Sequence, residues 1–169
     1  MASEKTSAVA VVVGSDSDMD VMRSCVEQLQ EFGIQPIVRV ISAHRTPQIA
    51  ADFAESAEAK GIRVIIAAAG MAAHLAGALA GRTTLPIIGV PLSAQGGLGG
   101  IDALLSTVQM PAGVPVATMA IGKAGAKNAA ILAVQILALS DNTLSKKLSH
   151  FRKSQQDTVM QKDSTVRSS

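Results

Sequence analysis

The sequence predicts a doubly wound, three-layer α/β sandwich around a five-stranded parallel sheet with the strand order 2-1-3-4-5. Short apolar runs rich in β-branched residues alternate with helical stretches, which is typical of parallel strands joined by crossover helices. The first run, AVAVVV, is apolar without interruption, as expected of a strand buried on both faces. Pro36 lies inside the second run and cannot donate a ladder hydrogen bond. The second strand therefore belongs at an edge, which suits this order.

The elements follow one another along the chain with recognisable boundaries. The predicted strands are residues 8–13, 34–41, 64–69, 86–90 and 114–121. The predicted helices are residues 19–32, 47–60, a segment that begins within 70–81, 101–108 and 126–139. Gly33 suits the C-terminal cap of the first helix, and Pro47 suits the first turn of the second.

The apolar content predicts an oligomer. Hydrophobic residues make up 48% of the chain, the mean hydropathy is +0.33, and the helix at 126–139 is apolar nearly all round. Such a helix is typically buried on all sides, which one small domain can hardly achieve alone. From residue 141 the sequence turns polar and predicts an appended helix to about 161, with Leu144, Leu148 and Phe151 spaced to dock. We expect one domain over residues 1–164 and a disordered tail over 165–169.

Composition argues against several classes of function. The net charge is +2 without a basic block, and the aromatic residues are three Phe with no Tyr or Trp, so nucleic-acid binding is not expected. No apolar run reaches the ~18 residues that span a bilayer, and the polar N-terminus lacks the features of a signal peptide. Cys25 is the single cysteine, which predicts neither a disulfide framework nor a cysteine metal site. These features predict a cytoplasmic protein.

Three loops are expected to form one crevice. In a sheet of this order, ligands bind beyond the carboxyl ends of the strands, where the order reverses between strands one and three. The loops at that edge read GSDSD (residues 14–18), SAHRTP (42–47) and GMAAH (70–74). The crevice is therefore the candidate site.

The first two loops carry the groups that suit a phosphorylated ligand. Hydroxyls and backbone N–H groups at a helix start favour a phosphate near Ser15, and Asp18 suits sugar hydroxyls, although both residue types are equally typical of a plain N-cap. Arg45 can hold a phosphate with paired donors. His44 is the residue type that gives and takes protons near neutral pH. A lone loop histidine is more often merely solvated, but convergence with the first loop favours a catalytic role for His44.

The third loop is small and alanine-rich, so its backbone could approach a planar ligand closely. His74 lies in the first turns of an apolar helix, and this position fits a buried structural histidine at least as well as a histidine that contacts the ligand. The glycine-rich segment 96–100 is predicted to be a mobile flap. No P-loop, no HExxH and no metal-ligand spacing is present, so we expect no metal and no cofactor.

Together the loops resemble the carboxyaminoimidazole ribonucleotide mutase family of purine biosynthesis, the bacterial class I PurE proteins. The likeness covers nearly the whole chain, and its most specific motifs are SAHRTP and VQMPAGVPVAT. The resemblance implies a flavodoxin-like sandwich, a cytoplasmic homo-octamer with shared sites, and a hand-off of substrate from the ATP-dependent carboxyaminoimidazole ribonucleotide synthetase. It also implies an isomerase that moves a carboxylate from the exocyclic nitrogen of the aminoimidazole ribonucleotide to ring carbon C4 through transient CO2. His44 would be the acid and then the base.

The resemblance also implies the residues that bind the ribonucleotide, by motif Ser15, Asp18, Ser42, Arg45, Gly70, Met71 and His74. Ser15, Ser42 and Arg45 would hold the 5′-phosphate, and Asp18 the ribose hydroxyls. The backbone of residues 70–71 would face the base, and His74 would support that loop. Family members often have glycine at position 71 and proline at 76, where this chain has methionine and alanine.

Other functions stay open at this point. The animal-type relative, which carboxylates aminoimidazole ribonucleotide directly with CO2, typically has Lys-Gly where this chain has Arg45-Thr46. That difference favours the mutase over the direct carboxylase. A nucleotide-sensing module on the same fold, or an assembly scaffold, is the non-enzymatic alternative.

Overall fold

The sheet has the predicted strand order. The computed structural model describes residues 7–168, which form two compact units, 7–133 and 134–168. The first unit contains a parallel sheet in the order β2-β1-β3-β4-β5. Its strands are β1 Val9–Val13, β2 Ile37–Val40, β3 Val64–Gly70, β4 Ile87–Leu92 and β5 Ala117–Thr118. The fold class and the edge position of β2 are thus confirmed.

Two strands are shorter than the sequence predicts, and both lie at an edge of the sheet. β2 begins at Ile37, so Pro36 precedes the strand rather than interrupting it. β5 keeps only Ala117 and Thr118 of the predicted 114–121. An edge strand has a hydrogen-bonding partner on one side only, so an apolar run there overestimates the length of the ladder.

The helices are α1 Met19–Glu31, α2 Pro47–Ser56, α3 Leu75–Ala80, α4 Ile101–Val108, α5 Lys123–Ala138 and α6 Asn142–Arg167. Short 3₁₀ turns at Asp16–Asp18 and Glu58–Lys60 precede α1 and follow α2. Gly33 ends α1 as predicted: its φ is 84°, its N–H donates to the Gln30 carbonyl, and the Ile34 N–H donates to the Leu29 carbonyl. This pair of bonds is the Schellman motif, in which glycine adopts the left-handed conformation.

The core explains why the strands are continuously apolar. All five β1 residues are fully buried, so both faces of this interior strand are covered. Ala10 and Val12 on one face join a cluster with Phe53 of α2 and Leu79 of α3. Successive side chains of a strand point to opposite faces, so Val9, Val11 and Val13 are buried on the other face.

The second unit contains the end of α5 and the whole of α6. Asp141 caps α6 by accepting hydrogen bonds from the N–H groups of Thr143 and Leu144 at 2.8 and 3.2 Å. Leu144 is buried, and Leu148 and Phe151 are half-buried. The helix end predicted near 161 is wrong, because α6 continues to Arg167 and includes residues assigned to a disordered tail. Residues 142–168 contain no glycine or proline that would interrupt a helix. Ser169 lies outside the described residues.

None of the helices within residues 7–168 combines the length and the apolar character that crossing a bilayer requires.

Candidate active site

The sheet register brings the three predicted loops to one level. Val13, the last residue of β1, pairs with Val40 of β2 on one side and with Ala68 of β3 on the other. The carboxyl ends of β1, β2 and β3 therefore lie side by side, at the point where the strand order reverses. A cavity of about 510 Å³ lies there, and every predicted site residue lines it: Ser15, Asp18, Ser42, His44, Arg45, Gly70, Met71 and His74.

Hydrogen bonds to the backbone and the side chain of Ser15 hold the first loop in place. The Ser15 N–H donates to Asp18 Oδ2 at 2.9 Å, and the Ser17 hydroxyl donates to Ser15 Oγ at 3.0 Å. The capping role that the sequence left open is therefore present, and it places the same side chains on the cavity wall. Burial raises the pKa of Asp18 above its ordinary 3.8, against backbone hydrogen bonds that lower it. The nearby charge of Asp16 raises it further.

The second loop is a turn that Thr46 closes. The Ser42 N–H donates to Thr46 Oγ1 at 3.1 Å, and the Thr46 hydroxyl donates to the Ser42 carbonyl at 2.9 Å. Pro47 then begins α2. Sequence reasoning used Thr46 only to separate two enzyme classes, although a threonine just before a helix that begins with proline is a signal for such a turn. The turn leaves His44 and Arg45 exposed at its tip.

The Arg45 side chain extends from this turn toward the first loop. Its backbone N–H and its Nε donate to Ser42 Oγ at 3.1 and 3.4 Å. Its Nη2 lies 3.5 Å from the Gly14 carbonyl oxygen at the end of β1. These contacts hold the guanidinium beside the Ser15 loop, where it can donate paired hydrogen bonds to an anion. The first two loops thus present one cation and several hydroxyls to the cavity.

His44 and His74 contact each other directly. Nε2 of His44 lies 2.8 Å from Nδ1 of His74, and the rings meet edge to face at an interplanar angle of 81°. At this distance one nitrogen carries the hydrogen and the other accepts it. His74 is the N-cap residue of α3 and is exposed, so the buried structural role considered for it is wrong. Its position on the third loop makes it a partner of the candidate proton carrier.

The third loop follows a close approach between two strand ends. A Cβ atom on Gly70 would lie 2.9 Å from the Cβ of Ala94 and 3.2 Å from the Leu92 carbonyl oxygen. The end of β4 and the segment that follows it therefore leave room only for glycine at this position. Ala94 itself lines the cavity, and sequence reasoning did not include it. The adjacency of β3 and β4 in the predicted order was the signal that could have found it.

The rest of the neighbourhood adds little polar chemistry. Within residues 7–168 no group of three His, Cys, Asp or Glu side chains is arranged to hold a metal ion. In the glycine-rich segment, the Leu98 N–H donates to Asp102 Oδ2 at 3.2 Å, and both Gly96 and Gly99 have positive φ with open space around them. Its motion as a flap stays a prediction.

Comparison with known proteins shows the family to which the chain belongs. The family model of AIR carboxylase matches residues 8–158. The N5-carboxyaminoimidazole ribonucleotide mutase of Vibrio parahaemolyticus is 50% identical over 90% of this chain and 94% of its own, and that of Escherichia coli strain K12 is 51% identical over 90% of both. The crystal structure of Treponema denticola PurE superposes with a TM-score of 0.82 at 28% identity, covering 93% of this chain and 96% of that one. The chain therefore belongs to the AIR carboxylase family.

Proposed function

We propose that this protein is an N5-carboxyaminoimidazole ribonucleotide mutase of purine biosynthesis. The observation that carries the proposal is the identity of about one residue in two, over 90% of the chain, with relatives of that name. The cavity supports it, because a polar wall of hydroxyls and one guanidinium faces an alanine-rich loop beside a histidine. The same relatives do not favour the direct carboxylase.

The ribonucleotide would bind with its phosphate on the first two loops. Arg45 supplies the positive charge, and the hydroxyls of Ser15 and Ser42 supply further donors at the same wall. The raised pKa of Asp18 reflects a carboxylate in a partly desolvated position. There it would accept hydrogen bonds from ribose hydroxyls rather than face the phosphate.

His44 would move the proton that the carboxylate transfer requires. As an imidazolium it protonates the exocyclic nitrogen while the N–C bond of the carbamate breaks and CO2 forms. Ring carbon C4 then forms a C–C bond with that CO2, and neutral His44 removes the C4 proton, which restores the aromatic ring. His44 thus donates one proton and takes one back, so the enzyme ends the cycle in the protonation state in which it began.

In the proposed mechanism Nε2–H of His44 is the donor and Nδ1 of His74 is the acceptor in their 2.8 Å contact. With that direction the hydrogen bond would persist in both protonation states of His44 and would keep the ring in place throughout the cycle. The exchanged proton would then reside on Nδ1 of His44. His74 would act as a positioning residue.

The exposed apolar surface supports the proposed homo-octamer. On α4, Ile101, Leu105 and Val108 are 51, 52 and 48% exposed at helical spacing, and Val40 of the edge strand β2 is 54% exposed. Exposed apolar side chains such as the row on α4 are typically covered by another copy in an oligomer. Sedimentation velocity at micromolar concentration would test the octamer. A cytoplasmic location and the hand-off from the ATP-dependent synthetase belong to the same proposal.

A turnover assay with two alternative substrates tests the function. We expect fast conversion of N5-carboxyaminoimidazole ribonucleotide, and conversion of aminoimidazole ribonucleotide only at very high bicarbonate. The reverse pattern would assign the protein to the direct carboxylases. The matched control is His44→Asn, which should bind the ligand but lose turnover. Binding without turnover in the wild-type protein would instead indicate a nucleotide sensor.

A further inference from the structure

Met71 differs from every other residue that lines the cavity. It is 51% exposed, whereas Leu75, the other long aliphatic residue of the lining, is 2% exposed. The remaining apolar members of the lining are alanines and glycines. The cavity wall therefore offers one long, flexible apolar side chain that the described part of the fold does not bury.

The backbone at Met71 makes this side chain costly. Its φ of 54° lies in the left-handed region, and it is the one non-glycine residue with positive φ among residues 7–168. Crowding between Cβ and the carbonyl oxygen disfavours that conformation for any residue except glycine. Surrounding bonds fix the turn: the Ala73 N–H donates to the Met71 carbonyl at 2.9 Å, and the His74 N–H donates to the Ala72 carbonyl at 2.8 Å.

Strain of this kind is concentrated at ligand sites, where a bound molecule makes use of the strained residue. An apolar side chain that is left exposed gains free energy only when something apolar covers it. The first two loops of the cavity lining, with Ser15, Ser42 and Arg45, suit the polar phosphate and sugar. The ring of a ribonucleotide is the one part that can cover a thioether.

We propose that the Met71 side chain is the ring-recognition element of this site, packing its thioether against the face of a planar nitrogen heterocycle. The inference rests on the proposed function and deepens it, since it assigns recognition of the ring to a side chain rather than to the backbone of the loop. Sulfur–aromatic contact is favourable, and methionine adapts its shape to the ring it covers. Met71 thereby determines how strongly the site distinguishes a nucleotide from a sugar phosphate.

Equilibrium binding with and without the ring tests this role. Calorimetry would compare aminoimidazole ribonucleotide with ribose 5-phosphate on the wild-type protein, Met71→Ala and the matched control Met71→Leu. We expect Met71→Ala to weaken nucleotide binding about tenfold and to leave ribose 5-phosphate within about twofold. Met71→Leu keeps the apolar surface and should stay within about threefold for both ligands. Equal weakening of both ligands in Met71→Ala, or no weakening of either, would overturn the inference.

Met71→Gly separates the side chain from the backbone conformation. Glycine removes the ring contact and also relieves the left-handed strain, so its melting temperature should be no more than about 2 °C below that of the wild type. Its nucleotide affinity should still fall as in Met71→Ala, and wild-type affinity in this variant would contradict the proposal. The mutase function and the role of Met71 can be refuted separately. A wild-type protein that binds nucleotide without turnover refutes the mutase, while the ratio of the affinities for aminoimidazole ribonucleotide and ribose 5-phosphate still decides the role of Met71.

Discussion

Replacing His74 by alanine removes the hydrogen-bond partner of His44 without touching the polar wall. The bond is 2.8 Å long, which is short enough for a full hydrogen bond. Both rings are exposed, so water can replace the lost partner, and the net loss belongs in the lower part of the usual range, about 0.5–1 kcal/mol. If the bond holds His44 in place for proton transfer, kcat should fall about two- to fivefold.

Comparison with His44→Asn and with the double variant decides whether His74 acts through His44. Loss of His44 itself should lower kcat by about 10²–10⁴-fold, the range for a general acid–base. Because His74 acts through His44, the double variant should be no slower than His44→Asn alone. The matched control is His74→Asn, since its amide oxygen can accept the same hydrogen bond and should restore most of the activity.

Steady-state turnover of N5-carboxyaminoimidazole ribonucleotide, with kcat and KM determined for each variant over a range of pH, provides the measurement. A double variant slower than His44→Asn by the full factor seen in His74→Ala would show that His74 contacts the substrate independently. A His74→Ala enzyme with wild-type kcat would show that the 2.8 Å contact contributes nothing to turnover.

Three further predictions concern the fold and its ionisable groups. A Cβ on Gly89 would overlap the Thr107 side chain, so Gly89→Ala should destabilise the protein by about 1–3 kcal/mol in thermal melts. The control Gly81→Ala, where the nearest atom is 3.7 Å away, should melt as the wild type does. Equal melting temperatures of the two variants would contradict this. Burial raises the pKa of Asp18, so the folded chain binds the carboxyl proton more tightly than the unfolded chain does, and stability should fall as pH rises from 3.8 through the raised value. The denaturant midpoint of Asp18→Asn should lack this fall. If the midpoints of the variant and the wild type depend on pH in the same way, the prediction is wrong. Burial also raises the pKa of Cys25 to about 12, so iodoacetamide at pH 8 should modify it only in denaturant, and rapid labelling of the native protein would contradict its burial.

The convergence of the site could be predicted because it depends on strand order and strand ends alone. Alternation of apolar runs with helices predicted the parallel sheet, a feature read directly from residue types. Pro36 led to the correct edge position of the second strand, although the structure places Pro36 before β2 and not inside it. The observed pairing of Val13 with Val40 and Ala68 shows that the three strands end at the same level. Every residue predicted for the site lies on a loop that this order brings together.

The lengths of the edge strands could not be predicted in the same way. The run at 114–121 is as apolar as the buried strands, yet its residues are exposed or half-exposed in the single chain, and only Ala117 and Thr118 pair with β4. An apolar run reports that surface must be buried, but not whether the same chain buries it.

The relation between His44 and His74 was beyond sequence reasoning for a different reason. The two residues are 30 positions apart, and each by itself is more often a solvated or structural histidine. Nothing in the periodicity of α3 shows that its N-cap faces the second loop, because that depends on the turn at Met71 and on the close approach at Gly70. Those two backbone positions direct the chain so that the His74 ring reaches His44. The position of His44, the proposed proton carrier, thus depends on a strained turn that carries no ionisable residue of its own. Substitutions at Met71 or Gly70 should therefore be assessed for their effect on the contact between His44 and His74 as well as on ligand binding.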